Sequence, residues 1–127
     1  MIRKDNIDPA HAVLRVRIVF GRGAMLGPGK ADLLALIRET GSIAAAGRRM
    51  GMSYKRAWML VETMNAMFRE PLVESVRGGV SGGGAHLTEA GETVLGHYRQ
   101  VEEAASRASG PDVEALRAML GDISRRE

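Results

Sequence analysis

From Leu14 to Phe20 the chain alternates, with Leu14, Val16, Ile18 and Phe20 on one side and Arg15, Arg17 and Val19 on the other. A period of two predicts a strand with one buried face. Gly21, Gly23, Gly27, Pro28 and Gly29 then break the chain into a loop. From Leu33 the period lengthens. Leu33, Leu34, Leu36 and Ile37 recur at helical spacing, predicting a helix from about Lys30 to Thr40. Gly41 ends it, and Ser42 stands where a cap for the next helix belongs. That second helix, Ile43 to Met50, consists almost wholly of small residues. Gly51 stops it, and Ser53 caps a third helix that runs to about Phe68, before Arg69-Glu70-Pro71 closes it.

Leu72 to Val76 reads as a strand, and after a glycine-rich stretch Ala85-His86-Leu87 reads as its returning partner. Thr88 caps a helix carrying Val94, Leu95, Tyr98, Val101 and Ala105 on one face. Ser109-Gly110-Pro111 is expected to break it, leaving a last amphipathic helix with Val113, Leu116, Met119 and Leu120. The expected organisation is a flexible terminus over 1–11, one domain over 12–108, and a C-terminal helix over 109–127 available for dimerisation. The fold class is mainly α with a small β-hairpin wing, a winged helix-turn-helix.

Composition narrows the chemistry. The chain has 127 residues, 45% apolar but only 4% aromatic, so one core must be built from aliphatic residues and eight Met. Without Cys, disulfides, thiol nucleophiles and cysteine metal sites are excluded. No apolar run reaches the roughly 18 residues of a membrane span, and the first residues lack the apolar block of a secretory signal. A cytoplasmic protein is expected. The net charge of +3 is modest, but residues 1–100 carry 14 Lys/Arg against 9 Asp/Glu, whereas 101–127 carry 4 against 6. The basic excess lies in the body, where a polyanion could use it.

Two short helices joined by a glycine turn form a helix-turn-helix unit. Gly47 falls where they cross, Ala46 and Met50 face inward, and Gly51 and Met52 make the corner. On the third helix Ala57, Leu60, Val61, Met64, Met67 and Phe68 share one face. Lys55, Met59 and Glu62 lie opposite, with Tyr54 and Trp58 on one flank and Arg56 on the other. Between Arg48 and Val61 the chain carries Arg48, Arg49, Lys55 and Arg56 and no acid. A recognition helix enters the major groove by its first turns, where its dipole also favours phosphate. Double-stranded DNA is therefore the expected partner. Ser42, Arg48, Arg49, Ser53, Tyr54, Lys55 and Arg56 are the candidate contacts, with Arg77, Gly79, Ser81 and Gly83 on the wing, which would lie along the minor groove or the backbone. Plainer roles exist for the same residues: Trp58 as a partly buried packing residue, Lys55 and Arg56 as a solvated face, and the hairpin as merely flexible.

Gly41-Ser42-Ile43, Gly51-Met52-Ser53-Tyr54-Lys55, Ala57-Trp58, Met64-Asn65, Leu72-Val73-Glu74 and Gly78-Gly79, followed by Gly82 to Thr88 and Gly91, resemble the N-terminal domain of the molybdate-responsive ModE repressors over about residues 14–107. The resemblance implies broader kinship with LysR-type DNA-binding domains. It also implies a homodimer on an inverted-repeat operator, with dimer contacts from the first helix and the helices after Thr88. Full-length members carry C-terminal oxyanion-binding modules. The sequence read here reaches Glu127, so a stand-alone DNA-binding module is expected. The wing tip, Val80-Ser81, lacks the Lys many relatives have there, which implies a weaker electrostatic grip.

Gly27-Pro28-Gly29-Lys30 is not a phosphate loop, because Ala24 and Ala31 replace the required Gly and Ser/Thr. His11, His86 and His97 have no metal-ligand spacing. No catalytic residue, metal or cofactor is expected. Two alternatives stay open: a winged-helix module that binds a protein, suggested by Met59 beside Trp58, and a direct molybdate or tungstate sensor with a site between protomers.

Overall fold

Leu33, Leu34, Ile37, Ala46, Ala57, Met64 and Leu72 are buried together with Leu95 and Tyr98, so one aliphatic core gathers residues from every helix. The computed structural model describes residues 12–79 and 82–121. In chain order these form β1 (Ile18–Gly21), β2 (Ala24–Leu26), α1 (Pro28–Thr40), α2 (Ile43–Arg49), α3 (Tyr54–Met67), β3 (Val73–Gly79), β4 (Gly82–Leu87) and α4 (Glu89–Ala118). The strands make two separate antiparallel hairpins, β1–β2 and β3–β4.

The helix boundaries follow the capping residues. Gly41 ends α1 at φ +72°, its N–H bonded to the Ile37 carbonyl. The hydroxyls of Ser42, Ser53 and Thr88 accept from the N–H groups of Ala45, Arg56 and Gly91 at the starts of α2, α3 and α4. Gly91 also permits a close approach. A Cβ there would lie 2.1 Å from the Leu72 carbonyl oxygen, which accepts the Thr88 N–H. The wing is thereby locked to the first turn of α4.

Two expectations need correction. The alternating run from Leu14 is a strand only from Ile18, because β2 is three residues long and offers no partner to residues 12–17. Its outer residues are not covered: Phe20 is 57% exposed. The reversal expected as a loop is instead a tight turn at Arg22-Gly23, both with positive φ, as a primed hairpin turn requires. Lys30 donates to the Met25 carbonyl at 2.8 Å, tying β2 to α1.

The second correction concerns Ser109-Gly110-Pro111, which does not break the last helix. α4 runs 30 residues with Pro111 inside, so no separate helix begins at 109. Proline removes the backbone donor that would reach the Arg107 carbonyl, and the helix carries that loss between two helix-favouring runs, Glu102-Glu103-Ala104-Ala105 before it and Glu114-Ala115-Leu116-Arg117 after it. Only Gly91, Leu95 and Tyr98, all near its start, are buried. Tyr98 anchors the chain before β1, its hydroxyl donating to the Val16 carbonyl at 2.6 Å. Arg99 joins α4 to α1 through Asp32 at 2.9 Å.

Candidate nucleic-acid interface

The α2–α3 corner is set by Gly47. A Cβ at that position would meet the Ala57 Cβ at 2.9 Å, closer than two carbons can stand, so the helices cross at the distance only glycine allows. The Met52 N–H closes the corner onto the Gly47 carbonyl. The inward face of α3 is as expected: Ala57, Val61 and Met64 are buried, and Leu60, Met67 and Phe68 are partly buried.

The opposite face is open. Tyr54, Lys55, Arg56, Met59 and Glu62 are exposed. Trp58 does not join the core. It is 37% exposed and stacks on Tyr54 with ring centroids 6.5 Å apart, so the packing expected of it is against another surface residue. Arg48 is exposed at the end of α2. Arg49 is exposed too, but makes an ion pair with Glu39 of α1 at 3.2 Å, which ties up part of its charge.

The wing stands beside this face. β3 and β4 pair from Val73↔Leu87 to Gly79↔Gly82, with a register shift between Val76 and Gly79. Arg77, Gly79 and Gly83 lie on these two strands; Ser81 lies outside the described residues. Two contacts fix the wing against the helices, and neither was foreseen from the pattern. The Ala85 N–H donates to the Gly41 carbonyl at 2.9 Å. A Cβ on Gly84 would sit 2.8 Å from the same oxygen, so this glycine serves close packing and not the wing tip. Asn65, at the end of α3, accepts from the N–H groups of Leu72 and Val73 at 2.8 and 3.1 Å and donates to the Val73 carbonyl at 3.0 Å. A polar residue beside Met64 on an inward helical face was the available signal.

Between the two elements runs a groove walled by Ser42, Ala44 and Tyr54 on one side and Ser75, Val76 and Gly84 on the other. The structure thus brings Ser42, Ser53, Tyr54, Lys55 and Arg56 to one side of the molecule with β3–β4 adjacent. Ser42 and Ser53 also spend their hydroxyl oxygens as helix caps. Among the described residues no group of three or more His, Asp or Glu is placed to hold a metal, and no helix is long and apolar enough to cross a membrane.

A glycine-crossed helix pair, with a cationic second helix and a β-hairpin docked at its side, defines a winged helix-turn-helix domain. Residues 30–92 match the family of bacterial regulatory helix-turn-helix proteins of the lysR type. The chain is 48% identical over 80 residues to the molybdenum-pterin-binding protein MopB of Rhodobacter capsulatus, covering 63% of this chain and 30% of that one. It is 34% identical over 113 residues to the molybdenum transport protein ModE of Azotobacter vinelandii, covering 80% and 42%. It therefore spans less than half the length of these curated relatives. Among solved structures, the DNA-binding domain of CbnR in complex with DNA superposes with a TM-score of 0.55 at 25% identity, covering 69% of this chain and 95% of that one. The chain is thus similar to the lysR-type helix-turn-helix proteins over residues 30–92 and to part of ModE over a longer stretch.

Proposed function

We propose that this chain is a ModE-type transcriptional regulator that binds an inverted-repeat operator in double-stranded DNA as a homodimer. The observation that carries the reading is the charge order on the exposed face. Lys55 and Arg56 stand at the start of α3, Arg48 precedes them, and the first acid, Glu62, comes two turns later. Ser42, Ser53 and Tyr54 complete the helical contacts. Arg77, Gly79, Ser81 and Gly83 are the proposed backbone contacts of the wing, and Arg49 contributes less because Glu39 shares it. No catalytic role is proposed, and the site of action is where the DNA is, in the cytoplasm. The molybdenum-related names of the relatives make a molybdenum-linked set of genes the proposed target.

Binding should weaken steeply with salt, because phosphate neutralisation releases counterions. Lys55→Ala and Arg56→Ala should each lower affinity for duplex selected from genomic fragments about tenfold, a loss of roughly 1.4 kcal/mol, while their thermal unfolding stays at the parent's temperature. If both variants bound like the parent, the assignment of α3 to the groove would be wrong.

A further inference from the structure

The DNA-facing side of α3 carries apolar surface that its cations do not explain. Tyr54 is 58% exposed, Trp58 37% and Met59 57%. The Tyr54 and Trp58 rings stack nearly parallel, at 21°, one helical turn apart, and Met59 follows directly in the chain. Val76 of β3, itself exposed, continues the strip across the groove that Tyr54 lines. None of these groups belongs to the buried core. Lys55 and Arg56 lie within the same two turns and are also exposed.

That bracketing decides what can cover the strip. A protein partner would have to desolvate the flanking cations, and protein-binding surfaces are depleted in lysine at their centres. A DNA major groove tolerates the cations at its phosphate edges. It also offers one apolar feature on its floor, the C5-methyl of thymine. We infer that Tyr54, Trp58 and Met59 form a reader of thymine methyl groups, so that the operator carries thymines where the first two turns of α3 meet the base edges. The inference rests on the DNA-binding reading above. The stacked pair is stiff, which presents a fixed apolar edge, and Met59, unbranched and flexible, adjusts to the neighbouring methyl.

The test uses the full chain and a duplex selected from a random library, amplified once with thymidine and once with deoxyuridine triphosphate. The two duplexes differ only in the methyl groups. Each buried methyl is worth about fourfold in affinity, so the uracil duplex should bind about tenfold or more weakly, with the salt dependence unchanged because the phosphates are the same. Met59→Gln, an exposed substitution of similar length that should leave the fold intact, should shrink the thymine-to-uracil ratio while Lys55→Ala leaves it in place. Equal binding of the two duplexes, with salt-sensitive affinity retained, would sink the methyl reader and leave the DNA-binding reading standing. A folded chain that selects no duplex at all overturns both readings.

Discussion

Tyr98 shows how much one side chain can hold. It is 1% exposed, and its hydroxyl donates across 82 residues of sequence to the Val16 carbonyl. Burial pushes its phenol up from 10.0 to about 12, and nearby Glu102 adds to the shift. The folded state therefore keeps the proton where the unfolded chain would release it. The contribution is complete below about pH 10 and is lost as pH rises toward about 12, since the native state then binds more protons than the unfolded one. Urea midpoints of the parent should fall as pH rises from about 10 toward about 12. Tyr98→Phe should flatten that alkaline decline and cost about 1 kcal/mol at neutral pH, because it leaves the Val16 carbonyl without its donor. A variant that declines with alkali as steeply as the parent would locate the pH sensitivity elsewhere. Periodicity placed Tyr98 on the inward face of its helix but gave no hint of Val16. The partner is distant in sequence, and a carbonyl acceptor leaves no mark on residue type.

At the scale of elements, Asn65 couples reader to wing. Three hydrogen bonds join the end of α3 to the first residues of the wing. The angle between α3 and the wing depends on that join. Asn65→Ala strands two backbone donors and should lower stability by about 2 kcal/mol. It should also speed amide exchange at Leu72 and Val73 and weaken DNA binding beyond what the unfolded fraction explains. Asn65→Asp keeps both acceptor contacts but sets an oxygen against the Val73 carbonyl, so its loss should be intermediate. Unchanged exchange at Leu72 in Asn65→Ala would refute the coupling. The helices themselves were legible because Gly41, Ser42, Gly51, Ser53 and Thr88 mark their ends chemically, and each does in the structure what its type suggests. The Leu14 strand and the break at Pro111 misled for a shared reason. Local pattern says what a segment could form, whereas the length of β2 and the helical runs flanking Pro111 decide what it does. The exposure of Lys55 and Arg56 was legible from helical spacing; Gly84 and Asn65 work through contacts that no spacing rule encodes.

For the molecule as a whole, the unanswered demand is α4. Thirty residues at 1.5 Å each make a rod of about 45 Å, and its buried residues all fall in the first ten. Beyond them Leu116, Met119 and Leu120 are exposed, Met119 at 82%. By contrast α1, one of the segments the resemblance implies for dimer contacts, has its apolar residues buried or partly buried already. The far end of α4 is therefore the better proposed seat of a second copy. A helix lying against its twin there would give the two α3 helices the fixed separation that half-sites about one DNA turn apart require. Leu116→Glu with Leu120→Glu touches no core residue, so the domain should melt as the parent does. Sedimentation should nevertheless show a lighter species, and affinity for a two-half-site duplex should fall toward that for a single half-site. If the double variant sediments with the parent, the contact lies elsewhere on the molecule, and the exposed edge of β1 at Val19 and Phe20 is the next surface to alter.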